Sequence, residues 1–316
     1  MSVFTLLERA ELEAFVAPYG LGRLLDFQGI AAGTENSNFF VSLEAGEYVL
    51  TLVERGQRAD LPFVVELLQR LHAAGLPVPY GVATRSGECL RELADKPALL
   101  QPRLAGKHIE QPNAHHCAEV GSWLARMHLC TQAQPLERRS DRGLDWMLSE
   151  GPLQALQLDG EALELLRASL AEVAQAQAAV LALPRANLHA DLFRDNVLFD
   201  GPHLSGVIDF YNACSGPMLY DVAITLNDWC STASGSLDLS RARALLAAYA
   251  SLRPFHPAEA ERWPCMLRIA CLRFWLSRLI AARQPTALGV QVKDPDEFRQ
   301  RLLQRQQVHL PLPLAF

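Results

Sequence analysis

HADLFRDN, residues 189–196, sets two aspartates, an asparagine, a histidine and an arginine between apolar runs. It leads directly into NVLFDGPHLSGVIDF, residues 196–210, which reads as two short strands joined by an Asp200-Gly201 turn and closing on Asp209. A hairpin folds the chain back. Asp191, Asn196 five residues later and Asp209 thirteen after that can therefore share one small volume.

Phosphoryl transfer to an alcohol needs such a set, because a metal beside phosphates takes hard oxygen ligands and the attacking hydroxyl must lose a proton. On this reading Asp191 orients and deprotonates the hydroxyl, while Asn196 and Asp209 hold Mg²⁺ against the phosphates of ATP. The amide of Asn196 adds an oxygen without adding a third negative charge. His189 pins the loop by hydrogen bonds. The plainer reading is a polar loop in which Asp and Asn make turns, their commonest role. A DxxxxN pattern alone favours it; Asp209 at a strand end, with a β-rich lobe upstream and helices on both sides, favours catalysis. A zinc site at His189 and Asp191 lacks the second His/Cys pair it needs.

Working outward, LLDFQGI, NFFVSLEAG and EYVLTLVE predict an antiparallel meander with a turn at Ala45-Gly46. A helix follows from an N-cap at Asp60 to Gly75, and further strands are expected around 79–83, 89–93 and 97–101. Beyond residue 106 the periodicity becomes helical, over 113–131, 160–183, 239–251 and 258–282. Two regions result, a β-rich 1–100 for the nucleotide and a helical 101–316 for catalysis and the acceptor. The stretch around 132–158 is expected to be the most mobile.

Half of the 316 residues are apolar, enough for a sizeable core. Glu8, Glu11 and Glu13 interrupt the N-terminus where a signal peptide is apolar, and no run approaches a membrane span, so a cytoplasmic protein without a membrane partner is expected. The net charge of −6 lacks the cation excess of a nucleic-acid binder. Seven irregularly spaced cysteines without a CxxC pair suit reduced, buried thiols.

HADLFRDNVLF followed by GVIDF resembles the catalytic loop and metal-binding aspartate of the protein-kinase-like small-molecule kinases, the aminoglycoside phosphotransferase and choline kinase group. The likeness runs along nearly the whole chain, including the helix that ends in Leu124-Ala-Arg-Met-His128. It implies an α+β, bilobal protein-kinase-like fold, with a small antiparallel β-sheet lobe, a large mainly helical lobe, and ATP bound near a hinge at Gln101. Gly33, Thr34, Asn36, Ser37 and Asn38 then lie where the group covers the ATP phosphates. GTENSNFFV, EYVLTLVE and IDFYNACSGPMLYDVAITLNDWC look most like the bacterial homoserine kinases of this fold, which implies L-homoserine as acceptor and a place in threonine synthesis. An amino-acid acceptor needs an acid for its ammonium, assigned to Asp228, and a guanidinium for its carboxylate, assigned to Arg273. Choline, methylthioribose or an aminoglycoside as acceptor remain alternatives, as does a non-catalytic nucleotide-binding protein.

The chain departs from the group at one point. Relatives carry a lysine on the third strand, paired with a helix glutamate such as Glu66, to bind phosphates. Here Thr51 takes that place, and the three lysines against 26 arginines are Lys96, Lys107 and Lys293. Asp221, at the start of an apolar helix, reads as a cap or loop brace.

Overall fold

The alternation in SNFFVSL builds a half-buried strand, with Ser37, Phe39, Val41 and Leu43 inward. The computed structural model describes residues 4–30, 36–54, 58–283 and 293–314, and these divide into two units. Residues between 4 and 105, with 206–211, form one; 106–205, 212–283 and 293–314 form the other.

The first unit holds helix α1 (Arg9–Val16), strands β1 (Leu24–Gly29), β2 (Ser37–Leu43) and β3 (Gly46–Leu52), helix α2 (Leu61–Ala73), and strands β4 (Leu90–Leu93) and β5 (Lys96–Pro102). Its antiparallel sheet runs β1-β2-β3-β5-β4. The β2–β3 turn residues are Glu44 and Ala45, one position before the expectation, and Gly46 opens β3 at φ +144°. Leu12, Phe15, Val41, Leu50, Leu52 and Leu100 fill the core, and α2 buries Leu61, Val64, Leu67, Leu68 and Leu71 at helical spacing. The strand expected around 79–83 is absent. Pro77 and Pro79 bring no N–H donors, and Val82 N to Leu100 O, 2.8 Å, is the backbone bond that ties this stretch to β5.

The second unit contains helices α3 (Ala114–Gln132), α4 (Leu144–Ala155) and α5 (Gly160–Leu181), strands β6 (Arg185–Leu188), β7 (Val197–Asp200), β8 (His203–Val207) and β9 (Cys214–Pro217), and helices α6 (Met218–Trp229), α7 (Leu239–Leu252), α8 (Pro257–Ala281) and α9 (Pro295–Arg305). β7 and β8 form the expected hairpin, and β6 pairs antiparallel with β9. The last two residues of β8 group with the sheet unit, where Val207 N bonds Pro77 O at 3.0 Å. Likewise β5 runs on to Pro102, and Arg103 N bonds Glu47 O within the sheet unit, which extends to Ala105.

Every residue of α6 is buried, Trp229 included, and Tyr249 of α7 and Trp263 and Trp275 of α8 are buried as well. The stretch expected to be mobile carries α4 and is held in place. Asn187 bonds Leu136 N and O at 2.9 and 2.7 Å, and Arg138 bonds Ala213 O at 2.5 Å. Among the described residues no helix is long and apolar enough to cross a membrane.

Candidate active site

The chain leaves β6 at Leu188 and enters the loop that holds Asp191. Ala190 takes φ +60°, a left-handed conformation that costs a non-glycine residue about 1 kcal/mol or more. A buried carboxylate sustains it. Asp221, in the first turn of α6, accepts His189 N at 2.7 Å through Oδ2 and Ala190 N at 2.8 Å through Oδ1. His128 of α3 reaches Asp221 Oδ2 with Nε2 at 3.3 Å and Tyr249 of α7 with Nδ1 at 2.8 Å. A carboxylate only accepts, so Nε2 carries the proton and Nδ1 accepts from the tyrosine hydroxyl. Three helices thus converge on two backbone N–H groups, and Asp221 is the brace expected of it. Burial pushes its carboxyl up, but the hydrogen bonds from His128 and from the His189 backbone outweigh this and leave it below the usual range.

Other bonds shape the rest of the loop. Arg273 of α8 donates from Nη1 to Ala190 O at 2.6 Å, and Trp229 donates from Nε1 to Leu192 O at 3.1 Å. His189 is buried, and its Nδ1 accepts Asp191 N at 3.3 Å. Residues 194–196 form one 3-10 turn, where Asn196 Nδ2 donates to Asp191 O at 2.8 Å. The amide oxygen of Asn196 has no donor among the described residues, so a hard, neutral ligand of the kind Mg²⁺ takes is left over. No group of three or more His, Cys, Asp or Glu that could hold a metal occurs among the described residues.

The carboxyl of Asp191 is itself altered by its surroundings. Burial raises it above the usual range, partly offset first by the charge of Arg273. A raised carboxylate is a stronger base once ionised. Asn212, between β8 and β9, donates Nδ2 to Asp191 Oδ2 at 3.2 Å and fixes one of the two oxygens. Nothing in the sequence pattern marked Asn212, because it lies in an irregular turn. Asp209, two residues past β8, falls in the sheet unit at φ +64°.

Most other expected site residues carry structural bonds. Asp228 accepts Arg194 N at 2.9 Å and Nε at 3.1 Å and faces Arg301 Nη1 at 3.5 Å, so two guanidiniums occupy the carboxylate assigned to an ammonium. Arg273 has no carboxylate partner among the described residues and lies near Asp191. Gln101 donates Nε2 to Pro79 O at 2.6 Å. Asn36 Oδ1 accepts Glu54 N at 3.1 Å, and Ser37 Oγ accepts Phe4 N at 2.8 Å and donates to Glu54 at 2.5 Å. Asn38 accepts from Thr51 Oγ1 at 2.7 Å. Gly33 and Thr34 lie outside the described residues.

The lysine question has a partial answer within the sheet unit. Thr51 is 3 % exposed and donates to Asn38 across the strand pair. Lys96 of β5 is paired with Glu54 and bonded to Thr5 Oγ1, and Glu66 is paired with Arg70 one helical turn on.

Residues 26–255 match the model of the phosphotransferase enzyme family. The chain is 67 % identical over 315 residues to a homoserine kinase of Pseudomonas aeruginosa (strain UCBPP-PA14), covering 100 % of each. It is 43 % identical to a homoserine kinase of Methylobacillus flagellatus, covering 96 % of this chain and 94 % of that one. Among solved structures it is similar to an amicoumacin kinase in complex with AMP-PNP, Ca²⁺ and Ami, with TM-score 0.70 and 14 % identity over 95 % of this chain and 92 % of that one. A choline kinase of Cryptosporidium parvum matches with TM-score 0.60 and 14 % identity, over 89 % and 88 % of the two chains.

Proposed function

The chain belongs to the phosphotransferase enzyme family and is a small-molecule kinase, and we propose that it transfers the γ-phosphoryl group of ATP to the side-chain hydroxyl of L-homoserine. The product is O-phospho-L-homoserine, which feeds threonine synthesis in the cytoplasm. The observation that carries the mechanism is the half-buried, oriented Asp191. Its Oδ2 is engaged by Asn212, its backbone is held by Asn196, and the preceding residue is clamped by Asp221 and Arg273. One carboxylate oxygen is left to accept the hydroxyl proton as the oxygen attacks phosphorus.

Asn196 and Asp209 are the oxygen ligands for Mg²⁺, which when bound offsets the charge of the phosphates. The acceptor carboxylate goes to Arg273, the guanidinium near Asp191 without a carboxylate partner among the described residues. Asp228 does not receive the ammonium in this reading, because it holds Arg194 and Arg301. Full-length likeness to homoserine kinases at 67 % and 43 % identity supports the choice of acceptor.

The test is ADP release with Mg·ATP across homoserine, choline, methylthioribose and an aminoglycoside, with the phosphorylated product identified by mass. Homoserine is expected to be the preferred acceptor. Preference for choline would overturn the acceptor assignment and leave the transfer chemistry standing; release independent of every acceptor would overturn both.

A further inference from the structure

Behind the catalytic loop, the start of α4 and the end of α5 face the β6–β9 ribbon around a cavity of about 230 Å³. Its walls are largely aliphatic, with Leu144, Val180, Leu181, Leu188 and Pro217. None of the lining residues belongs to the loop 189–196, although Tyr220 lies within electrostatic range of Asp191 and Arg273. Tyr220 also lines it. This residue is 7 % exposed, and its hydroxyl has no hydrogen-bond partner among the described residues. Buried hydroxyls are nearly always bonded, so an orphan at a cavity wall marks a place where something else supplies the partner.

The rim is cationic. Arg139 and Gln177 already hold Asp145, at 2.5 and 2.7 Å. Arg185 has no carboxylate partner among the described residues and donates to Ser215 O at 3.3 Å. Of the three charged residues that line the cavity, two guanidiniums face one neutralised carboxylate, which leaves one positive charge over an apolar floor.

We propose that this cavity is a second small-molecule site, which takes a short aliphatic acid carrying a further oxygen, an oxo- or hydroxy-acid. The carboxylate meets Arg185 at the rim, the carbon chain lies on the aliphatic wall, and the second oxygen accepts from the Tyr220 hydroxyl. Such a ligand touches both anchors of the catalytic loop. Leu188 runs directly into His189, and Tyr220 precedes Asp221, whose carboxylate holds His189 N and Ala190 N. Occupancy is therefore coupled to the placement of Asp191.

Levulinate is a suitable probe, since it has the acid and the oxo group but no hydroxyl to phosphorylate. Calorimetric titration of the full chain is expected to give saturable binding that saturating homoserine does not displace. Pentanoate, lacking the second oxygen, should bind about fivefold more weakly, and Tyr220→Phe should bring levulinate to the same level. 5-Hydroxy-2-pentanone, lacking the carboxylate, and the exposed variant Arg185→Ala should each lose about tenfold or more. Absence of saturable levulinate binding, displacement by homoserine, or affinity unchanged by both substitutions would each overturn the proposal. The binding readouts need no turnover, and if the ADP-release assay identifies another acceptor, that acceptor replaces homoserine as the competitor.

Discussion

The side-chain amide of Asn212 donates to Oδ2 of Asp191 at 3.2 Å, which commits one oxygen of the base and leaves the other for substrate. A hydrogen bond to a charged acceptor is worth about 1.5–3 kcal/mol. Asn212→Ala is therefore expected to lower kcat by about tenfold or more, with the KM for ATP little changed. Loss of a donor to the ionised form also raises the Asp191 pKa further. The acid limb of the rate profile should move to higher pH in this variant, which a purely structural loss would not produce.

The wild-type acid limb itself is set by burial. Asp191 works as a base only when ionised, and its carboxyl is held above the usual range by desolvation. Activity should accordingly fall away at a pH above the value of about 4 normal for an aspartate. The linked stability has the opposite sense: a raised folded pKa gives stability that is full below the unfolded value and lost as pH rises through the folded one. Asp191→Asn is thus expected to unfold at a higher temperature than the wild type at neutral pH, measured without metal or nucleotide.

Asp221 behaves in the reverse way. Despite burial, its hydrogen bond from His128 holds the carboxyl below the usual range, so its contribution is present above the unfolded value and lost as pH falls through the folded one. Asp221→Ala leaves His128 and two backbone N–H groups unsatisfied and is expected to cost about 3–5 kcal/mol at pH 7. Urea unfolding of the variant and the wild type at pH 7 and pH 3 should show the gap narrowing in acid.

Close packing of α3 on α7 depends on Gly121, where an added Cβ would collide with the backbone oxygen of Leu245. Gly121→Ala is expected to cost about 1–3 kcal/mol through forced separation of the helices. A lower midpoint in thermal unfolding, with kcat per folded molecule close to wild type, is the anticipated result.

The elements that were legible in the sequence are those with a strong period. The alternation of SNFFVSL, the helical face of α2 and the Asp200-Gly201 hairpin each report their own burial pattern. β6 and β9 were not legible, because four-residue strands flanked by loop chemistry carry too short a pattern. The segment 132–158 looked loose from its charges, yet Asn187 binds its Leu136 backbone and its own Arg138 reaches Ala213 O, partners at a distance in sequence that no local pattern encodes. The same holds in the site. Asp191 and Asn196 stand out by spacing, and Asp221 by its place at a helix start. Asn212, Tyr249 and the pairing of Asp228 with Arg194 and Arg301 depend on tertiary contacts alone.

The most direct measurement is the steady-state turnover of Asp191→Asn with Mg·ATP and homoserine, beside nucleotide affinity measured by calorimetry on the same preparation. Removal of a positioned base typically costs about 10²–10⁴ in rate. Our account expects a loss of that size in kcat, with ATP affinity and folding intact. Turnover within about twofold of wild type, well short of that loss, would contradict it.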